Sequence, residues 1–180
     1  MSPPPDLDRW LHDADLRVAY DRHSRVSATE LWDAARQVPL SETGRLGRLV
    51  RWRIPGLDRE VNFDGLFRHP PFMVLEESET ALVSGLVGRI WTLRRDYPQL
   101  DAPHDFLAWS RRGTVRVAFA HWTESAPHGS TLSVDVRVQA IGTQGRMGLS
   151  AVRPLVRAFA NLIASEGIAA AVRRAENGRA

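Results

Sequence analysis

Residues 148–176 carry the sequence GLSAVRPLVRAFANLIASEGIAAAVRRAE, and this stretch decides the fold of the chain. A helix with a wide apolar stripe is marginal alone in water and needs a partner surface to pack on. Apolar side chains recur here at intervals of three and four and share one helical face: Leu149, Val152, Val156, Phe159 and Ile163. The stretch therefore predicts a long C-terminal helix that packs on the strands preceding it.

Two features interrupt this helical pattern. Pro154 lacks an amide hydrogen and is tolerated only near a helix start, so residues 148–153 are predicted to form a separate turn. The apolar stripe breaks at Gly167, after which Ile168 and Val172 point a right angle or more away from it. Either the helix kinks or breaks near Gly167, or it stays straight and its last turns contact a different neighbour.

The upstream segment predicts an antiparallel sheet. Residues 131–141 alternate cleanly, with Val134 and Val136 on one face and Asp135 and Arg137 on the other. They form a hairpin with a strand at 114–124, through a turn at 126–129. Further strands are predicted at residues 16–20, 72–76, 80–93 and 106–109, with a turn at 77–79 and a bulge or bend at Gly85 and Gly88.

Helices precede and follow these strands. Ser27 and Glu30 form a capping box that opens a helix over 28–37. Residues 45–54 fit either a helix or a strand, and the helix is favoured. Residues 55–71 are predicted to be mostly loop. Helices gathered on one side of an antiparallel sheet define an α+β domain.

The chain of 180 residues is long enough for one domain with a full core, here 16–177, after an N-terminal tail at 1–15. Three prolines predict that residues 1–9 are mobile. No secretory signal and no apolar run of about eighteen residues is visible, so we expect a cytoplasmic protein. Without cysteine there is no disulfide, thiolate zinc site or cysteine nucleophile.

Charge and motifs exclude several functions. Every basic residue is arginine and the net charge is only +3, which is weak evidence for a nucleic-acid partner. The six histidines show no metal-ligand spacing, and the serines lack the G-x-S-x-G pattern. Gly142, Gly145 and Gly148 favour a plain strand-to-helix connection over a phosphate site. We therefore expect no metal, no cofactor and no catalytic motif.

Four segments together resemble one family over most of the chain: the first strand followed by SATELWDAA, the block PFMVLEESETALVSGLVGRIW, the hairpin TVRVAFAHWTES and STLSVDVRVQA, and the ending LIASEGIAAAVRRAE. Their order resembles the START / polyketide-cyclase superfamily, also called SRPBCC. The resemblance implies a helix-grip fold, in which a curved antiparallel sheet wraps around the long C-terminal helix. Family members bind lipids, polyketides or other apolar molecules in a cavity between the two, and some are cyclases. The fold implies a pocket and not a reaction.

Six side chains are candidates for lining this cavity: Trp91, Trp109, Phe119, His121, Phe159 and Ile163. Trp91, Trp109 and Phe119, like Trp122, could stack on a flat ligand, although aromatic side chains in strands more often form core. His121 is the weak catalytic candidate, as a general acid or base or as a group that orients a ligand oxygen. The sequence favours a structural histidine at the rim instead.

Arginines at positions 45, 48, 51 and 53 form the densest basic stretch. Beside Leu46, Leu49 and Val50, they could place an amphipathic helix on an anionic membrane in transient contact. An ordinary surface helix is the favoured alternative.

Three functions follow from these observations. The first is binding of an apolar or amphipathic small molecule under the last helix. The second is a polyketide cyclase/aromatase-type enzyme that uses the same cavity, and the third is an interaction domain with a filled core. We expect a monomer or a weak dimer.

Overall fold

A five-stranded antiparallel sheet forms the centre of the computed structural model, which describes residues 3–54, 57–58, 60–92 and 96–178. Its strands are β1 (Leu16–Ser24), β2 (Met73–Ser78), β3 (Ala81–Gly88), β4 (Thr114–Ala126) and β5 (Gly129–Ile141). In space they follow the order β1-β5-β4-β3-β2. The first strand therefore pairs with the last one, and hairpins connect β2 to β3 and β4 to β5.

The β4–β5 hairpin is the longest pairing, in register from Thr114 opposite Ile141 to Ala126 opposite Gly129. The predicted alternation is confirmed, because Val117 and Phe119 lie opposite Val138 and Val136 on one face. The opposite face of β5 carries Ser133, Asp135 and Arg137. All three are buried there, so the sheet is covered on both faces.

Four short helices connect or precede the strands: α1 (Ala28–Arg36), α2 (Gly44–Arg53), α3 (Phe63–Arg68) and α4 (Pro103–Ala108). The predicted capping box opens α1, with the Glu30 carboxylate accepting from the Ser27 N–H at 2.9 Å. The ambiguous segment 45–54 is helical, as favoured. A 3₁₀ turn at Leu40–Glu42 joins α1 to α2.

Several local predictions are wrong. Residues 106–109 were expected as a strand, but α4 occupies most of that segment. Residues 63–68 form α3 within the predicted loop. The strand predicted over 80–93 ends at Gly88, and its residue 93 lies outside the described residues. The bulge or bend predicted at Gly85 and Gly88 is found in part: β3 ends at Gly88, which has a φ of 136°, whereas the irregular pairing lies in β2 between Val74 and Glu76 and not at Gly85.

The C-terminal helix begins at Gly142 and continues to Asn177 as three segments. They are α5 (Gly142–Leu162), a π-helical turn (Ile163–Ile168) and α6 (Ala169–Asn177). Pro154 lies inside α5, so the predicted separate turn over 148–153 is wrong. The change expected near Gly167 takes the form of a π-helical turn within a continuous helix.

This π-helical turn explains why the apolar stripe shifts. A π turn holds one residue more than an α turn, so the positions after it are displaced by one along the helix face. Ile163, Ile168 and Val172 are 5%, 3% and 6% exposed, and all three are therefore buried in the core. The extra residue in the π-helical turn therefore keeps the apolar side chains on both sides of the turn packed in the core.

By length and composition alone, the helix Gly142–Asn177 is long and apolar enough to cross a membrane. Its most apolar window has a mean hydropathy of 1.4, but 47% of that window is buried inside the protein. A core helix passes the same test, and this one packs on β5, β4 and β1.

The outer face of the sheet is covered by the N-terminal segment and α4. Leu7, Trp10 and Leu11 are buried in a second apolar cluster that includes Phe106 of α4. The Trp10 Nε1–H donates to Glu76 Oε2 at 3.1 Å. The mobility predicted for residues 1–9 is therefore wrong for Leu7, which is only 3% exposed.

These layers define the fold class. A long C-terminal helix covers one face of a five-stranded antiparallel sheet, and the shorter helices lie around it. The predicted α+β helix-grip architecture is confirmed by this arrangement.

Candidate functional site

A cavity of about 220 Å³ lies between the inner face of the sheet and the C-terminal helix. Its floor comes from alternate residues of the strands, including Val117, Phe119, Val136 and Val138. Because successive strand residues point to opposite faces, each second residue of β4 and β5 contributes an apolar side chain here. Residues of α5 cover the floor, and we call this space the main cavity.

The helices α2 and α3 close one side of the main cavity. Leu49 and Trp52 of α2 and Phe67 of α3 line it. The described lining is almost entirely apolar. Such a surface favours an apolar ligand, because it offers few groups that could replace the hydrogen bonds a polar ligand makes with water.

An ion-pair network holds α3 in place. Asp64 of α3 accepts from Arg36 Nε of α1 at 3.0 Å and from Arg68 Nε at 2.8 Å. Arg68 also donates from Nη1 to Glu77 of β2 at 2.9 Å. Burial alone would raise the pKa of Asp64, but hydrogen bonds from Arg68 and Arg36 outweigh it and hold that pKa below its usual range. The network ties α3 to α1 and β2.

A smaller chamber of about 40 Å³ adjoins the main cavity, and we call it the inner chamber. The rings of Phe67 and Phe119 line both spaces, with centroids 5.5 Å apart. The inner chamber is otherwise lined by side chains including Ile163 and His121. A rearrangement of the two phenylalanine rings would join the two spaces.

His121 lies inside the protein between two aromatic rings. The ring centroids of Trp32 and Phe67 are each 5.3 Å from that of its imidazole. Burial lowers the pKa of His121 to about 4, although the carboxylate of Asp64 opposes this effect. The imidazole is therefore neutral at pH 7. The rim position favoured by the sequence is wrong, because the ring faces the inner chamber.

The predicted lining residues divide into three groups. Trp91, Phe119 and Phe159 line the main cavity, and Phe119 also lines the inner chamber. His121 and Ile163 line the inner chamber. Trp109 is misplaced in the prediction, because it packs in the cluster on the outer face of the sheet and its Nε1–H donates to Thr114 Oγ1 at 2.9 Å.

Sequence reasoning missed the contribution of α3. Its signal was the spacing of Phe63, Leu66 and Phe67, which places all three on one helical face. Asn62 precedes them and caps the helix, since its Oδ1 accepts from the Gly65 N–H at 2.8 Å. An Asn before an apolar i, i+3, i+4 pattern is a helix-start signal.

Within the part of the chain that the structure describes, no three His, Asp or Glu side chains come together in a way that could hold a metal ion. His121 also makes no hydrogen bond to another described side chain that would orient it as a general base. The described residues therefore form an apolar cavity with one imidazole in the chamber beside it.

Comparisons with known proteins give distant structural neighbours only. No protein-family model and no curated protein sequence matches the chain. A solved protein from Nitrosomonas europaea is 10% identical with a TM-score of 0.42, covering 91% of this chain and 96% of its own. The Zhui aromatase/cyclase from Streptomyces sp. R1128 is 12% identical with a TM-score of 0.34, over 88% and 94% of the two chains. Ara h 8.0201 is 12% identical with a TM-score of 0.27, and the match covers 86% of this chain and 98% of that one. At these values the neighbours assign neither a family nor an activity to this chain.

Proposed function

We propose that this protein binds an apolar or amphipathic small molecule, of lipid or polyketide type, in the main cavity. The observation that carries the proposal is the apolar volume of about 220 Å³ between the sheet and α5. An engineered apolar cavity of about 150 Å³ stays dry and binds benzene, so the main cavity is large enough for a ring or a short acyl segment. The opening lined by Trp52 and Leu155 lets a longer ligand extend outward.

The inner chamber favours a ligand that also carries a polar group. Among the described residues that line this chamber, His121 has a polar side chain and the others are apolar. A neutral imidazole can donate one hydrogen bond and accept another. A ligand with an apolar body and one hydroxyl or carbonyl oxygen would fill the main cavity and satisfy His121.

The test is native mass spectrometry of freshly purified protein, followed by titration with a fluorescent fatty acid. We expect an added mass in the lipid range and saturable probe binding at a stoichiometry of one. Val136→Phe places a larger ring in the cavity and should weaken probe binding, whereas Val83→Phe on the outer face should not. Absence of both the added mass and the saturable binding would overturn the proposal.

A second candidate function is cyclase/aromatase-type catalysis in the same cavity. The observation that favours it is the imidazole of His121 beside an apolar space. Its two ring nitrogens could take a proton from a methylene carbon of a bound polyketide-like chain and give one to a ketone oxygen as a carbon–carbon bond forms between them, with water lost on aromatisation. Incubation with a short poly-β-ketone thioester would be followed by the absorbance of aromatic product. Product that forms with the native protein and disappears in His121→Leu, with probe binding retained, would support catalysis.

A further inference from the structure

Two large apolar side chains stand exposed at the opening of the main cavity. Trp52 of α2 and Leu155 of α5 both line the cavity, yet they are 60% and 54% exposed. A large exposed apolar group costs free energy in water unless a partner covers it. The two residues come from different helices, so the exposed apolar surface spans the opening.

The exposed apolar surface continues along α5. Residues at intervals of three and four share this solvent-facing side of the helix, which we call the outer stripe: Met147, Ala151, Pro154, Leu155 and Ala158. All five are exposed, and Met147 is 68% exposed. The helix is thus apolar on its buried face and also on this solvent-exposed face.

Positive charge surrounds the opening. Arg48 lies three residues after Arg45 and four residues before Trp52, so all three share the exposed face of α2. Arg51 is half-buried beside them. Neither α2 nor α5 contains a single Asp or Glu. None of the ion pairs among the described residues involves these three arginines.

We infer that the opening of the main cavity docks on an anionic lipid membrane, with Trp52, Leu155 and Met147 entering the interface and Arg45 and Arg48 contacting lipid headgroups. Tryptophan concentrates at the membrane interface, and arginines near an anionic surface strengthen binding. An apolar stripe beside arginines that form no ion pair with another described residue fits a lipid surface better than it fits a neutral apolar partner. Docking in this orientation would place the cavity opening against the lipid.

The test is flotation of purified protein with two kinds of vesicle, one of phosphatidylcholine alone and one with about a third phosphatidylglycerol added. The anionic lipid supplies the negative surface potential that attracts exposed arginines. We expect binding to the anionic vesicles only, and weaker binding as salt is raised, because salt screens exposed charges. Arg45→Ser with Arg48→Ser should reduce partitioning about thirtyfold. Trp52→Ser with Leu155→Ser should reduce it at least about tenfold.

Matched controls lie on other surfaces of the same protein. Leu107→Ser removes a 43% exposed leucine from α4, on the far face of the sheet, and should not alter partitioning. Arg173→Ser removes an exposed arginine from α6 and should have little effect. The docking inference is overturned if the native protein does not bind anionic vesicles, or if both double variants bind these vesicles as well as the native protein does.

Two further outcomes separate this inference from others. A concentration-dependent dimer that disappears in Trp52→Ser with Leu155→Ser, without vesicle binding, would show that a second copy covers the outer stripe and would overturn membrane docking. Val136→Phe blocks the main cavity without touching the surface, so it should retain vesicle binding. Vesicle binding together with absent probe binding would uphold docking while rejecting the proposed cavity function.

Discussion

The Glu166 Oε2 atom accepts a hydrogen bond from the backbone N–H of Leu46 at 2.8 Å, and so the C-terminal helix caps α2. Thr43 precedes α2, but its hydroxyl donates instead to the Leu40 carbonyl at 2.9 Å. The first turn of α2 therefore depends on a carboxylate supplied by the π-helical turn, 120 residues away in the chain. Because α2 lines the main cavity, this contact also fixes one wall of the site.

Glu166→Ala should destabilise the protein by about 1 kcal/mol, the usual cost of losing an N-terminal cap. Hydrogen exchange of the α2 amides should accelerate more than exchange in β4 and β5. Glu166→Gln keeps an acceptor and should recover most of the loss. Glu79→Ala, at an exposed position in the β2–β3 turn, is the control and should change neither quantity. Equal exchange rates in α2 of Glu166→Ala and the native protein would contradict the capping role.

Val136→Phe should leave the free energy of unfolding within about 1 kcal/mol of the native value, because the main cavity has room for the added atoms. The same substitution at Val83, which is 1% exposed in the packed outer cluster, should cost about 1–3 kcal/mol. Chemical denaturation of both variants measures the difference. Similar losses in the two variants would mean that the sheet and α5 close on one another in solution.

The low pKa of His121 makes stability depend on pH. The folded pKa of about 4 lies below the unfolded value of about 6.5, so the unfolded state binds the proton first as the pH falls. The stabilisation is fully present above pH 6.5 and is lost as the pH falls toward 4. Between pH 7.5 and 5 the free energy of unfolding should therefore fall by about 2 kcal/mol.

His121→Leu should remove this pH dependence between 7.5 and 5, as measured by denaturation at several pH values. The carboxylates of Asp64 and Glu77 have lowered pKa values, so their contribution is lost only at more acidic pH. His12→Leu replaces an exposed histidine and should keep the native pH dependence. A slope in His121→Leu as steep as in the native protein would show that the pKa of His121 is the same in the folded and unfolded states and that other groups cause the pH dependence.

Gly148→Ala should displace Trp91 from the wall of the main cavity. A Cβ atom at position 148 would lie 2.3 Å from the Trp91 ring, which is closer than atoms can approach. Alanine favours the helix by about 1 kcal/mol, so we expect little loss of stability together with weaker fatty-acid binding and red-shifted tryptophan emission. Gly178→Ala meets only an ordinary contact at 3.5 Å and serves as the control. Unchanged probe affinity in Gly148→Ala would remove Trp91 from the site.

The parts of the fold that the sequence predicted are those with a long, regular period. The alternation along β4 and β5 and the apolar stripe on α5 extend over three or more repeats. Many residues therefore agree on which face of each element is buried. Short apolar runs are ambiguous between helix and strand. Residues 106–109 were assigned to a strand on such a run, although Pro103 at the helix start and Asp105, which accepts from the Ala102 N–H at 2.9 Å, indicate a helix.

The candidate site was predictable only in part, for a related reason. The periods of β4 and α5 predict that Phe119 and Phe159 face the cavity. The position of Trp109 depends instead on which face of the sheet α4 covers. Ile163 was predicted to line the cavity under the last helix together with Phe159, and the structure places it on the inner chamber of about 40 Å³. The π-helical turn and the contact between Glu166 and Leu46 depend on tertiary packing, which a local pattern does not encode.

The π-helical turn gives the C-terminal helix a place that can lose one residue without losing its packing. About five π-helical steps turn the chain as far as four α-helical steps, so deleting one residue between Ile163 and Ile168 would restore an ordinary α-helix and leave the later side chains facing the same way. Ile168 and Val172 would then stay in the core that they now fill. A one-residue deletion earlier in the helix would instead rotate every later side chain by about 100°, and a deletion in the turn must keep Glu166 within reach of the Leu46 N–H.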